Sequence, residues 1–338
     1  MSQNVPFGVI GVKLRSRRSF ETTMNSTIFI EVPESFSFRA TVYSHGWCEL
    51  RPFVLDKENW SLSYVFSGAG SSPVPVSISE EKGKLRIDLE SAVGDPQSII
   101  AQARHILRLD DDLSEFYDVI SDNENLRWVS ERRAGRLLRS PTVFEDLVKT
   151  ICTTNCSWGL TKSMVANLVE KLGEPVKSGP PPSGGGSDAA TVGPPAHAGG
   201  SDKFAFPTPG AMASATVDFY REEIRAGYRS PYFVELAHSV ASLRLDPEKW
   251  RNSDLPTPEL KKEMKKVKGV GDYAAENLLK LVGRYDGLAL DSWLRSQFYK
   301  NHNNEKVCPD KKIERHYSKY GPWRGLVIWC DMTEKWIT

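Results

Sequence analysis

The residues best placed to do chemistry are the run Lys268-Gly269-Val270-Gly271, the lysines before it, and a lone carboxylate, Asp291. Two glycines in three residues let a backbone turn tightly and meet a ligand with no side chain in the way. Leu260, Met264 and Val267 recur at helical spacing before the turn. Ala275, Leu278, Leu279 and Val282 do so after it, with Asp272 placed to cap the second helix. The pattern predicts a helix-hairpin-helix over 260–282. Backbone amides beside a helix start form a seat for phosphate. Between Pro258 and Val270, five lysines (Lys261, Lys262, Lys265, Lys266, Lys268) against Glu259 and Glu263 would add diffuse attraction for an anion. Taken alone, the pattern fits a helix–turn–helix corner with a solvated lysine face equally well.

Asp291 lies twenty residues beyond Gly271, past a helix and the Arg284-Tyr285-Asp286-Gly287 turn. Leu288, Ala289, Leu290, Trp293 and Leu294 flank it. An Asp-Ser pair at a helix start is commonly only a cap. Behind a hairpin that holds phosphates, the same spacing lets one carboxylate face a DNA strand.

VKGVGDYAAENLL (267–279) followed by LALDSWLR (288–295) resembles the helix-hairpin-helix and Gly/Pro-Asp region of the HhH-GPD superfamily of DNA glycosylases. Lys268 stands where that hairpin usually has proline. RLLRSPTVFEDLVKTICTTNCSW (Arg136–Trp158), FPTP (Phe206–Pro209) and GYRSPYF (Gly227–Phe233) are similar to segments of the 8-oxoguanine and alkyl-adenine glycosylase branches. The resemblance implies an enzyme of base-excision repair that flips a damaged or modified base out of double-stranded DNA and hydrolyses its N-glycosidic bond. Asp291 would stabilise the oxocarbenium-like sugar and position or deprotonate the attacking water. Bifunctional relatives carry a nucleophilic lysine two residues after the second hairpin glycine. Tyr273 stands there, which implies a monofunctional enzyme and an aromatic wall for the base; its plainer role is helix packing.

The resemblance extends to other positions. Asn277 takes the place of a cysteine that packs on the base, and GPWRGLVIWCDM (321–332) puts Gly325 and Trp329 where a glutamine and a phenylalanine contact an oxidised purine. Losing that glutamine and the lysine argues against oxidised guanine. Tyr273 and Trp329 offer flat faces suited to an alkylated purine, and Asn277 could read an amide-like edge. Asn155-Cys156-Ser157 would fill the gap left by the flipped nucleotide or cap a helix. Arg229 would contact phosphate or serve inside the domain. For His45 and Trp47, a satisfied turn histidine and a core tryptophan are the simpler readings. The expected cofactor set is empty apart from a monovalent cation at the hairpin bridging to a DNA phosphate. Only Cys308 and Cys330 follow Asp291, too few for an Fe–S cluster. The expected partner is double-stranded DNA, with the protein monomeric and not membrane-bound, and nuclear in a eukaryote or cytoplasmic in a prokaryote. Competing readings are a bifunctional enzyme using another lysine and a damage-binding protein without activity.

These residues need elements to hold them, and the pattern supplies an α+β chain. Thr27–Glu31, Arg39–Tyr43, Trp60–Phe66 and Leu85–Leu89 read as strands of an antiparallel sheet with one covered face, in an amino-terminal β-rich domain over 1–95. A helical core begins at 96–173, with helices over Gln97–Leu109, Phe144–Cys152 and Lys162–Leu172. It resumes at 204–338 with Pro209–Tyr220, Tyr232–Leu243 and Pro258–Val267. Between them 174–203, rich in Gly, Pro, Ser and Ala and without buried-type aromatics, reads as a disordered insertion. An early strand is expected at Val9–Leu14, in a basic amino-terminal stretch that could also target an organelle.

The 338 residues carry a net charge of +1, with 40% hydrophobic and 26% charged residues, which fits a globular enzyme with one basic face better than a DNA-coating protein. Five cysteines without a CxxC pair point to a reducing compartment, not to a disulfide scaffold. The histidines are scattered and show no metal-ligand spacing.

Overall fold

A computed structural model describes residues 26–67, 72–90, 95–176 and 203–337. The strand expected at Val9–Leu14, the basic amino-terminal stretch and most of the expected insertion lie outside them. The insertion's two ends do meet: Pro175 bridges Phe204, and the Ala205 amide donates to the Glu174 carbonyl at 3.0 Å.

Five antiparallel strands, β1 (Ser26–Glu31), β2 (Val54–Asp56), β3 (Ser61–Phe66), β4 (Val74–Glu81) and β5 (Lys84–Leu89), form one sheet in the order β1-β5-β4-β3-β2. Strand residues alternate between faces, so Ile28, Ile87, Ile78, Leu62 and Leu55 line up in a single row across all five. All but the half-buried Leu55 are buried. The opposite face carries polar ties such as Thr27 to Asp88 at 2.7 Å. Lys82 and Gly83, both at positive φ, close the β4–β5 hairpin.

The segment expected as a strand at Arg39–Tyr43 is instead a short helix, α1 (Phe38–Val42). Ser37 accepts the Ala40 amide as its cap, and a local cap of this kind outweighs the β preference of Thr41 and Val42. Strand β4 escapes a sequence reading because Pro75 sits in a central strand; it is tolerated one residue from the strand's end.

The helices that matter for the site are α2 (Pro96–Ile106), α3 (Val143–Thr153), α4 (Trp158–Leu172), α5 (Ser230–Ala241), α6 (Thr257–Met264), α7 (Asp272–Leu281), α8 (Ser292–His302), α9 (Asp310–Tyr317) and α10 (Arg324–Ile337). The stretch expected as one helix over Pro209–Tyr220 is two, because Thr216 caps a new start at Val217. Among the described residues no helix is long and apolar enough to cross a membrane.

Two hydrophobic clusters hold the elements together. One runs from the sheet through α2–α7; the other gathers Phe116 and Trp128 with the buried faces of α8–α10. A buried polar node ties sheet to helix. The Tyr64 hydroxyl (β3) donates to Glu145 at 2.7 Å, the Trp47 indole donates to Asp146 at 2.7 Å, and Lys149 lies 2.6 Å from Glu145. Burial raises the Asp146 carboxyl to about 6, against the hydrogen bonds from Ser140 and Trp47.

Candidate active site

Between α6 and α7 the chain makes the hairpin the glycines predict. Gly269 has φ +91, and a Cβ there would meet the Tyr232 ring at 2.9 Å, so folding itself demands glycine. Gly271 is different. Its φ is −87, a Cβ would meet nothing, and it stands as the N-cap of α7 without any side-chain cap bond. The first-turn amides of α7 are therefore left open. Val270 is buried, and its amide is taken by the Val267 carbonyl at 3.0 Å, so it is not one of the free donors the sequence suggested.

The lysines are less free than their run implies. Lys261 pairs with Asp272 and Glu276, Lys265 with Asp272, Lys262 with Glu259, Lys266 with Glu263, and Lys268 with Glu235. Glu259 and Glu263 sit within α6 itself, whereas Glu235 on α5 and Asp272 and Glu276 on α7 lie out of view of a local count. Most of these pairs are exposed and weak, so an incoming anion could exchange for the carboxylate.

The hairpin lines one wall of a groove of about 880 Å³. Thr153, Thr154, Asn155, Cys156, Tyr228 and Tyr232 line the rest, together with Tyr273, Leu290, Asp291 and Ser292. Asn155, exposed at φ +48, is the tip of the facing loop and donates to the Tyr228 hydroxyl at 3.3 Å. Half-buried Cys156 turns its thiol back to the Cys152 carbonyl at 3.0 Å. Ser157 caps α4, accepting from the Leu160 amide at 3.3 Å, which is the plainer of its two expected roles. Arg229 corrects an expectation. It is 3% exposed, and its guanidinium donates to the carbonyls of Ile151 and Thr154, so it braces the Asn155 loop from within and does not reach for phosphate.

Asp291 stands where groove and cavity meet. It caps α8, Oδ1 accepting from the Leu294 amide at 2.7 Å. The approach from α7 is pinned at successive points: Gly283 (φ +94) ends α7, Glu276 accepts the Ala289 amide at 2.5 Å, and Lys280 donates to the Leu288 carbonyl at 3.0 Å. Buried Arg108 donates to the last carbonyls of α7, Lys280 at 3.2 Å and Leu281 at 3.0 Å. Gly325 also belongs to this scaffold. A Cβ there would meet the Gly287 carbonyl at 2.1 Å, and the residue does not line the cavity. The missing glutamine at that position therefore says nothing about the choice of ligand.

Behind Asp291 lies a cavity of about 670 Å³ in the seam between the two hydrophobic clusters. Tyr273, Asn277 and Lys280, at i, i+4 and i+7 along α7, form one wall. Burial first, then the nearby Asp291 charge, raises the pKa of the Tyr273 hydroxyl and keeps it protonated. Asn277 spends one N–H on the Tyr273 carbonyl at 2.9 Å and keeps its own oxygen as an acceptor. Trp329, Trp293 and Trp336 make the opposite wall, with ring centroids 5.1–6.2 Å apart. The Trp329 indole donates to the Ser44 carbonyl at 2.7 Å, which fixes the plane of its ring. His45 and Trp47 line the cavity too, so their plain structural reading covers only half of their placement. Burial lowers His45 to about 4, and its neutral ring bonds the Leu138 carbonyl.

Lys280 lines the cavity too, at a position the sequence does not mark as part of a pocket. It is 2% exposed and burial lowers its ammonium to about 8, opposed by Glu276 and Asp291. The available signal was a lone lysine among Leu278, Leu279 and Leu281, two turns after Tyr273. In the unfolded chain Lys280 would titrate near its ordinary value. Between those two values the unfolded state holds the proton and the folded state does not, so stability should rise as pH climbs from about 8 toward 10.5. Denaturation at pH 7 and pH 9.5 should show this rise in wild type and lose it in Lys280→Met; equal slopes in both would refute the assignment.

The histidines that look scattered in sequence partly converge. The ligand-type atoms of His302, His316 and Asp331, from α8, α9 and α10, lie within 4.8 Å of one another and could hold a metal ion. They are bonded through His302 to Asp331 at 2.8 Å and lie outside the cavity lining.

No family model matches the chain, and no curated protein matches it in sequence. Solved structures do match. A protein named MBOgg1, in complex with a low-affinity DNA ligand, has a TM-score of 0.68 at 18% identity over 94% of this chain and 98% of that one. The 3-methyladenine DNA-glycosylase from Archaeoglobus fulgidus gives 0.67 at 19% over 91% and 98%. The apo 8-oxoguanine glycosylase/lyase of Clostridium acetobutylicum gives 0.67 at 18% over 90% and 95%. The chain thus has the α+β fold of 8-oxoguanine and 3-methyladenine DNA glycosylases across almost its whole length.

Proposed function

We propose that this protein is a monofunctional DNA glycosylase, which hydrolyses the N-glycosidic bond of a damaged or modified base flipped out of double-stranded DNA. The observation that carries the reading is the double placement of Asp291 and Tyr273. Both line the groove that holds the open amides of α7, and both line the aromatic cavity behind it. A strand seated by its phosphates on Gly271 and the α7 amides brings one nucleotide past Asp291, and the cavity receives its base.

The chemistry follows from charge. As the C1′–N bond breaks, its electron pair leaves with the base and positive charge develops on the sugar beside the Asp291 carboxylate. Water then adds at C1′, and Asp291 takes its proton. Tyr273 offers a hydroxyl where a lysine amine would be needed for a Schiff base, and it lines the groove and the cavity beside Asp291. The tryptophan walls suit any flat base, alkylated purines included.

The monofunctional assignment is tested on the strand product. Duplexes should remain uncut after base loss until alkali is added, and borohydride should trap no protein–DNA adduct. A trapped adduct would mean that another lysine, with Lys280 and Lys268 the nearest in sequence, performs lyase chemistry.

The two hairpin glycines should separate folding from binding. Gly271→Ala, with room for its Cβ and an ordinary φ, should melt like wild type but bind an abasic-site duplex about tenfold more weakly, the loss of about 1.4 kcal/mol of phosphate contact. Gly269→Ala should lower stability by about 1–3 kcal/mol through strain at positive φ and the Tyr232 contact. Unchanged affinity in Gly271→Ala would remove the phosphate seat from the account.

A further inference from the structure

The cavity lining holds one buried cation that the reaction just described does not use. Lys280 is buried on the α7 wall, its ammonium 5.7 Å from the centroid of the Trp329 ring. Among the described residues its hydrogen-bond partner is the Leu288 carbonyl, at 3.0 Å. An ammonium carries three donors. One is spent on Leu288, and the others sit beside a cavity whose lining includes five tryptophans. The carboxylates nearest in effect are engaged elsewhere: Glu276 on Lys261 and the Ala289 amide, Asp291 on the Leu294 amide. The neighbouring His45 is neutral, and Glu49, which also lines the cavity, is bound to Trp158 and Lys162. A buried ammonium with donors to spare is retained at a cost, and a ligand acceptor would satisfy it.

We propose that Lys280 sets the chemical class of base this pocket accepts: a neutral base presenting an acceptor, a keto oxygen or an unprotonated ring nitrogen, and not a cationic N-alkylated purine. The inference rests on the glycosylase reading and refines it. Two physical effects act in the same direction. A neutral acceptor gains a charge-assisted hydrogen bond from Lys280, whereas a cationic base placed on the Trp329 face meets a like charge in a low-dielectric site. A neutral base also leaves as an anion, carrying the electron pair of the broken C1′–N bond. Lys280 stabilises that anion and can return a proton to it, while a cationic base leaves neutral and needs no such help. The tryptophan walls that would favour an alkylated purine are thus countered by the charge behind them.

The test compares wild type with Lys280→Met, which keeps length and apolar bulk. Wild type should release uracil, hypoxanthine or 8-oxoguanine from duplexes carrying one such base, and leave 7-methylguanine and 3-methyladenine in place. Lys280→Met should lose about 100-fold or more in release of the neutral base, the scale of one transition-state donor. It should also melt higher than wild type, because a lysine kept for the ligand burdens the fold; a lower melting point would mark Lys280 as a strut for Leu288. Release of the cationic bases equal to or faster than that of the neutral ones by wild type overturns the proposal. Pocket preference is read apart from catalysis, by tryptophan quenching with 9-methylhypoxanthine and with 7,9-dimethylguaninium at pH 6. Stronger quenching by the neutral base, lost in Lys280→Met, supports the inference even if no duplex is processed, an outcome that would instead reject the glycosylase reading. Equal quenching by both bases, or none, overturns the inference.

Discussion

Replacing Asp291 by asparagine is expected to lower single-turnover base release by about a thousandfold or more, equivalent to about 4 kcal/mol of transition-state stabilisation. The substitution separates the residue's two roles. As a cap, Asp291 accepts the Leu294 amide through Oδ1, and asparagine is as good an N-cap, so α8 and the melting temperature should be preserved. As a charge, it faces a sugar that becomes cationic, and a neutral amide neither stabilises that sugar nor takes a proton from water. Binding to an abasic-site duplex should stay close to wild type, since the groove and the α7 amides are untouched. Release within tenfold of wild type would show that Asp291 is a cap and nothing more.

The second large effect concerns stability. Lys149→Met should destabilise the protein by about 3–5 kcal/mol, the cost of stranding a buried carboxylate. Lys149 is fully buried between the Phe53 and Phe206 rings, 2.6 Å from Glu145, whose side chain is 3% exposed. Removing the ammonium leaves Glu145 with only the Tyr64 hydroxyl, at the node where the sheet meets α3. Adding Glu145→Gln to Lys149→Met should recover much of the loss, because the stranded charge is the main fault. Urea denaturation of the two variants reads this directly. A single-variant loss below about 1 kcal/mol would mean that water reaches the node.

The contrast between what was legible in sequence and what was not follows contact range. The hairpin was legible because a backbone turn writes its glycines locally: Gly269 is required by its φ and by Tyr232, and Gly271 by nothing in the fold, which is itself informative. Asp291 was legible by its fixed distance from that turn. Long-range partners were not. Lys268 pairs with Glu235 of α5 and Lys261 and Lys265 pair with acids of α7, and the carbonyls that claim Arg229 come from Ile151 and Thr154. Gly325 looked like a pocket position and is a packing position, pressed on the backbone of Tyr285 and Gly287. The strand expected at Arg39–Tyr43 failed for a local reason, a serine cap that favours one helical turn. The cavity's tryptophans and Lys280 converge from elements far apart in the chain, so only the fold makes them a site.

The central claim is that Asp291, set between a phosphate-binding groove and an aromatic cavity, serves to release a flipped base. Single-turnover incubation with duplexes that each carry one modified base, followed by mass-spectrometric identification of any free base, tests it most directly. The account predicts that wild type releases a free base from at least one such duplex and that Asp291→Asn does not, with both proteins binding the DNA. Binding by both with no base released by either, or equal release by the two, would contradict it.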